Sequence, residues 1–223
     1  MAALKEELGI ALSASIKEFG SAGIPFTLVG GLAIGVRADP RVTRDVDFVI
    51  PVTDDANAEA IVFALQKRGF TVVAVFVRAG GRISTVRTRH ASAPDVLVDL
   101  LLSNARIERE IVDQASWEEV ATGIQCPVAQ SWHLLAMKVL ANRKKDQPDL
   151  QDLIERSNAK IFSKAEVALR LMQRRGVAPK RDLVAELRQL IREIREGRRF
   201  EEPATKRTLR RILARNAPKP PGR

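Results

Sequence analysis

The chain carries one cysteine, Cys126, in 223 residues, so no disulfide can form within it. Such usage fits a reducing compartment. No apolar run reaches the length of about 18 residues that a transmembrane helix requires, and no membrane partner is expected. Histidine is scarce as well: His90 and His133 are the only two. With Cys126 they lack the spacing of a zinc site. All three are expected to be structural or surface residues, His90 in a polar loop and His133 on a helix. Neither a P-loop, with its Gly-x₄-Gly-Lys-Ser/Thr spacing, nor a Ser–His–Asp arrangement is present. Trp117 and Trp132 are expected in the core rather than against a ligand. The opening Met1-Ala-Ala-Leu-Lys-Glu-Glu-Leu8 carries acids early and reads as an amphipathic helix, not a signal peptide. A cytoplasmic location is expected.

Apolar residues make up 45% of the chain, ordinary for a globular protein. Its length suits one full domain plus an appendage, or two small domains. The net charge of +10 is unevenly placed: from Gly176 to Arg223 there are 14 Lys and Arg against 6 Asp and Glu. An imbalance of this kind marks contact with nucleic acid or an acidic partner. The densest stretch, Lys206–Arg215, has five basic residues and no acid. Its Leu209, Ile212 and Leu213 fall at i, i+3 and i+4, which predicts an amphipathic helix. That helix would either grip RNA phosphates or dock through its leucines. The last residues, Ala217–Arg223, are expected to be disordered.

The stretch Leu28–Ile50 organises the rest. An apolar run, Phe26–Val29, stops at Gly30-Gly31, and Arg44-Asp-Val-Asp-Phe-Val-Ile50 follows after a short helix and a turn. On a strand, residues two apart share a face. Asp45 and Asp47 therefore project together, and Val46 and Phe48 point the other way, into a core. Two carboxylates on one face repel unless a positive charge sits between them, and oxygen-only ligation suits Mg²⁺. Glycines let backbone N–H groups approach a phosphate, and a helix starting just after them turns its positive end to an anion. Phosphate cradle plus metal carboxylates reads as nucleoside-triphosphate chemistry.

Elsewhere the periodicity predicts helices over 4–19 and 31–37, a helix opened by Asp54-Asp55 and stopped at Gly69, and helices over 106–115, 163–173 and 182–196. Ser131 is expected to cap a helix running to about Arg143, and Pro148 to start another. Strands are expected over 24–29, 45–50 and 70–77, with 83–88 returning as a hairpin partner and 95–102 the most hydrophobic. Val120–Cys126 reads as one short extra strand. This predicts an α+β fold: a front half of mixed sheet with flanking helices, then an all-helical back half with a basic tail. The boundaries are placed at 1–127, 128–200 and 201–223.

Two metal ions roughly 3.5–4 Å apart would neutralise the transferring phosphate and align the acceptor hydroxyl. Bridging them normally takes three carboxylates. Asp99 fits as the third, being a lone acid in Val96-Leu-Val-Asp-Leu-Leu-Leu102. An ionised Asp among such residues must lie at a strand end, be paired, or bind metal. An Arg-paired structural Asp is the plainer alternative, and Asp95 is the weaker competitor for the role.

Gly30-Gly31 followed by Arg41-x-Thr43-x-Asp45-x-Asp47 resembles the signature of the nucleotidyltransferase superfamily with the DNA polymerase β-type core. In detail it is similar to the AbiEii-like branch, the nucleotidyltransferase toxins of abortive-infection and toxin–antitoxin systems. The resemblance covers roughly residues 20 to 155. It includes a Lys on a helix, Lys138, followed by Arg143-Lys-Lys-Asp-Gln-Pro-Asp149. It implies Asp45, Asp47 and Asp99 as metal-holding catalytic acids, and Lys138 as a catalytic and nucleotide-contacting cation. It implies nucleotide binding, ATP included, at Gly30, Gly31, Arg41, Thr43 and Asp146, with Asp149 orienting a basic neighbour.

The activity so implied is Mg²⁺-dependent transfer of an NMP from an NTP to a hydroxyl acceptor. The branch suggests an RNA acceptor, a tRNA 3′ end, and a cognate antitoxin protein as partner. Small-molecule modifiers of the antibiotic-nucleotidyltransferase kind use the same acids and form the alternative acceptor class. A non-catalytic RNA- or partner-binding protein on the same fold is a further alternative, against which the three retained acids argue.

Overall fold

The computed structural model describes residues 2–39, 42–78, 80–102 and 105–197. The expectations for Arg41 and for the basic tail lie outside these residues. Seven strands form one mixed sheet: β1 (Thr27–Val29), β2 (Asp45–Val49), β3 (Phe70–Val77), β4 (Ile83–His90), β5 (Ala93–Leu101), β6 (Ser116–Ala121) and β7 (Ile124–Val128). They lie in the order β3-β4-β5-β2-β1-β7-β6. The pairs β2–β5 and β1–β7 are parallel and the others antiparallel.

Alternation along β2 and β5 sorts the sheet into two faces. Val46 lies beside Val98 and Phe48 beside Leu100, and all four are buried. They meet α1 (Ala2–Ser21), whose Phe19 packs edge-on to Phe26 and Phe48 and stacks on Phe70. Aromatic pairs in these geometries add to the free energy of apolar burial. The opposite face carries Asp45, Asp47 and Asp99.

Three helices begin on side-chain caps. Asp54 accepts from the Asn57 N–H at 2.7 Å ahead of α3 (Asp55–Gln66). Asn158 caps α7 (Ala159–Arg174) and Asp182 caps α8 (Leu183–Arg195). Each cap satisfies a backbone donor that the first turn leaves open. The shorter α2 (Gly30–Arg37) is fastened at its far end by Arg37. This guanidinium donates to the carbonyls of Val128 and Ala129, to Ser116 and to Glu118. Between sheet and back half runs α4 (Glu108–Asp113). Behind β7, α5 (Ser131–Ala141) and α6 (Gln147–Arg156) join α7 and α8, and Leu135, Leu153, Leu169 and Leu187 are buried among them.

Several sequence expectations need correction. The single strand over 120–126 is a hairpin, β6–β7, turning at Gly123 with φ +74°. Glu118 and Glu119 mask the apolar alternation of β6, which is half-exposed. Ser131 is the first residue of α5, not its cap; Gln130 precedes it in extended conformation with no side-chain cap bond. α7 starts at Ala159, four residues early, because Asn158 supplies the cap. His90 closes β4 rather than lying in a loop, buried edge-on to Phe70. Trp117 is 66% exposed on β6 and not in the core. Trp132 is half-buried against the core, with Lys164 over its ring.

Candidate active site

Where β1 ends, the chain turns directly into α2 at Gly30, whose φ of +66° favours glycine. Space requires glycine as well: a Cβ there would lie 2.6 Å from Cγ of Asp47. Across the β1–β2 ladder Val29 pairs with Asp47, so the turn and the first acids are placed by one local pairing. Asp99 arrives from further along the chain, on β5, in direct register with Asp47. One carboxylate oxygen from each of Asp45, Asp47 and Asp99 lies within 4.8 Å of the others.

The neighbours of these acids define the electrostatics. Thr43 donates its hydroxyl to Oδ1 of Asp45 at 2.9 Å. Arg87, on β4, grips Asp99 with two bonds of 2.8 Å, Nε to Oδ1 and Nη2 to Oδ2. Burial pushes the Asp47 carboxyl up to about 7, and the charges of Asp45 and Asp99 add to this; Lys138 and Arg143 act against it. Among the described residues the cluster therefore has too little positive charge beside it, even with Arg87 in place. A carboxylate pair of oxygens has about four lone-pair sites, so Arg87 leaves room on Asp99. Three such acids fit a hard divalent cation.

A second charged group stands across the cleft. Lys138, buried on α5, donates to Asp146 Oδ1 and to Asp149 Oδ2, each at 2.7 Å. Arg143 donates from Nε to Asp146 Oδ2 at 2.7 Å. Burial works against the charge of Asp146, but the bonds from Arg143 and Lys138 prevail and hold its carboxyl below the usual range. An ammonium has three donors, and the two acids engage two of them.

Both groups line one cleft of about 940 Å³. Of the residues singled out in the sequence, Gly30, Gly31, Thr43, Asp45, Asp47, Asp99, Lys138 and Asp146 all border it. Asp149 lies under Lys138, and Asp95 is exposed and outside the cluster. Asp99 is both Arg-paired and beside the other two acids. Sequence reasoning missed Arg87, Arg78 and Arg106, which also border the cleft. A lone Arg alternating with Val86 and Thr88 on a predicted hairpin strand was the available signal for Arg87. Cys126 is buried, with its thiol pushed up to about 12, and burial lowers His133 to about 4, so neither offers a reactive group.

A mixed sheet presenting paired strand carboxylates beside a Gly-Gly helix start defines a nucleotidyltransferase-type site. Residues 16–220 match the family model for the nucleotidyl transferase AbiEii toxin, type IV toxin–antitoxin system, and the chain belongs to that family. It is a nucleotidyltransferase, and its family implies a nucleotide substrate and an antitoxin partner. No curated protein matches the sequence.

Solved structures with similarity include the antibiotic-resistance factor ANT(2″)-Ia in complex with adenylyl-2″-tobramycin, at 17% identity. That match covers 79% of this chain and 99% of that one, with a TM-score of 0.48. JHP933 from Helicobacter pylori is 15% identical over 93% and 98%, TM-score 0.40. A tRNA nucleotidyltransferase complexed with a primer tRNA and an ATP analogue is 14% identical over 92% and 69%, TM-score 0.28. Among the described residues no helix is long and apolar enough to cross a membrane.

Proposed function

We propose that the chain moves an NMP from an NTP to a hydroxyl of an RNA acceptor, a tRNA 3′ end in the first instance, and releases pyrophosphate. The observation that carries this reading is the convergence of Asp45, Asp47 and Asp99 from two in-register strands beside the Gly30 turn. In this reading the three acids hold two Mg²⁺ ions, with Thr43 fixing the rotamer of Asp45 through its 2.9 Å bond. Bound Mg²⁺ supplies charge neutralisation at the transferring phosphate and at the entering and leaving oxygens.

The remaining roles fall to the chain's own groups. The N–H groups at Gly30 and Gly31 face the triphosphate at the start of α2. Lys138 keeps its third N–H for a phosphate oxygen, while Asp146 and Asp149 hold the ammonium in place. Arg41 is assigned to the nucleotide by family position. The acceptor oxygen bonds to the α-phosphorus, the bond to the β-phosphate bridging oxygen breaks, and the hydroxyl proton is released. Residues 1–127 would carry the metal acids and the Gly-Gly turn, residues 128–200 would close over the nucleotide with Lys138 on its phosphates, and residues 201–223 would form a separate basic tail. The protein would act in the cytoplasm as a toxin restrained by its antitoxin.

The test is incubation of purified protein with each α-³²P-labelled NTP, Mg²⁺ and total RNA. Label on RNA that disappears with EDTA and with Asp47→Asn supports the reading. Absence of label on RNA with all four NTPs rejects it.

A further inference from the structure

The wall of the cleft formed by β4, by Arg78 just after β3 and by the segment before α4 carries cations that the nucleotide chemistry above does not use. The cleft as a whole is bordered by seven Lys and Arg against four Asp, which disfavours a polycationic acceptor. Lys138 and Arg143 are committed to Asp146, and Arg87 to Asp99. Arg78 and Arg106 are different. Neither has a carboxylate within ion-pair distance among the described residues, and both border the cleft.

Nη2 of Arg78 is buried without a hydrogen-bond partner. A charged donor left in that state is costly, and an anion would relieve it. Burial lowers the pKa of Arg78 most; Glu108 opposes this, while Arg106 and Arg82 add to it. Arg106 is held by one bond, from Nη1 to the carbonyl of Arg175 at 2.6 Å. A planar guanidinium has five donors, so most of those on Arg106 remain available.

An aromatic ring lies on the same sheet face beside the cleft. Phe76 pairs with Thr85, a cleft residue, and the Arg87 guanidinium lies 5.7 Å from its ring centroid. The ring is 45% exposed. Exposed rings next to arginines stack nucleobases without regard to sequence, and unpaired bases at strand ends are the ones open to stacking.

We propose that Arg78 and Arg106 form a phosphate-binding corner for the acceptor, and that Phe76 beside Arg87 stacks its terminal base, so that the acceptor is the 3′ end of a single RNA strand. This rests on the nucleotidyltransferase reading for its reaction, but the binding surface is tested apart from it. A single strand lies with its last base on Phe76 and its phosphate on Arg78 and Arg106, which brings its terminal hydroxyl into the cleft that holds Asp45, Asp47 and Asp99.

The experiment uses the full chain and a 5′-fluorescein RNA 12-mer with a free 3′ hydroxyl. Anisotropy is read over a range of salt concentrations, without Mg²⁺ or NTP, and folding is checked by thermal melting. Phe76→Ala is expected to weaken binding by about five- to a hundredfold, the range for one lost base stack, and Phe76→Trp to retain it. Arg78→Gln is expected to weaken binding and to reduce the salt slope by about one phosphate contact. Arg106→Gln should do the same, and Arg78→Gln is the cleaner of the two because it breaks no bond.

Affinity and salt slope within twofold of wild type for folded Arg78→Gln and Phe76→Ala would overturn the site. So would an NTP affinity that falls in Arg78→Gln while RNA affinity holds, since the corner would then belong to the triphosphate. Label transfer from NTP to the bound 12-mer is read separately. RNA binding that depends on Arg78 without any label keeps the surface and removes the transferase reading of the acceptor.

Discussion

Gly30 and Asp47 occupy space that one additional methyl group would fill: a Cβ on Gly30 would lie 2.6 Å from Cγ of Asp47 and 2.8 Å from its Cβ. The turn that starts α2 and the carboxylate of β2 are therefore one packed unit. Gly30→Ala is expected to displace Asp47 and to add the strain of a non-glycine residue at φ +66°, a cost of about 1–2 kcal/mol before the clash. Transfer should fall at least about a hundredfold, two powers of ten in rate being about 2.7 kcal/mol. Steady-state transfer and chemical denaturation measured together check this; wild-type activity in Gly30→Ala would show that the turn does not position the acid.

Asp47 is predicted to work against folding in the metal-free protein. Its folded pKa of about 7 lies above the ordinary 3.8. Between those values the folded state binds more protons than the unfolded state, so stability falls as pH rises through this window. Above about 7 the full penalty is present, and below about 4 it is gone. Asp47→Asn should therefore melt higher than wild type at pH 8 in EDTA, with the difference shrinking toward pH 4. Transfer should fall about a thousandfold, the loss of several kcal/mol of transition-state stabilisation. Melting curves of both proteins across pH measure the difference directly. A wild type that melts at or above Asp47→Asn at pH 8 would reject the penalty.

Lys138 has a structural duty beside its proposed nucleotide contact. Its removal leaves Asp146 and Asp149, both nearly fully buried, without their shared cation. Breaking a buried pair in this way costs about 3–5 kcal/mol. Lys138→Ala is expected to lose that much in urea unfolding, and adding Asp149→Asn should recover part of it. NTP affinity should stay low in both variants, which separates nucleotide binding from stability. Recovery of NTP binding along with stability would assign Lys138 to the scaffold alone.

What could be read from the sequence follows the range of the physics involved. Asp45 and Asp47 were legible because strand periodicity is local, and Val46 and Phe48 carried the matching signal for the core face. Asp99 was legible because an acid stands out in an apolar run. Its pairing with Arg87 was not, since that contact depends on the register of β4 against β5, set over the whole sheet. The exchange of bonds among Lys138, Asp146 and Asp149 was visible only as a charged linker; folding α6 back under α5 turns it into a buried network. The β6–β7 hairpin stayed hidden because its outer face is wet and its strand signals are weak. Trp117 misled for the same reason, as composition favours burying an aromatic and this one faces solvent.

Arg87 supplies positive charge directly to Asp99. Its two bonds, both 2.8 Å, have the fork geometry that suits a carboxylate. Asp99 is 7% exposed, so an uncompensated charge at that position is expensive, and among the described residues Asp45 and Asp47 stand beside it with no ion pair. Arg87→Gln should therefore destabilise the metal-free protein, by about 2 kcal/mol, or about 4–8 °C for a chain of this size. A divalent cation and Arg87 can both sit on the Asp99 carboxylate, but each neutralises part of the same charge. Removing the arginine should then raise the gain in melting temperature on adding Mg²⁺, because the ion restores charge balance that wild type already has in part. Melting curves of wild type and Arg87→Gln, with EDTA and with a Mg²⁺ titration, separate the two effects. A lower melting point with an unchanged Mg²⁺ gain would mean that Arg87 braces β4 against β5 and that Asp99 takes no share in holding the ion.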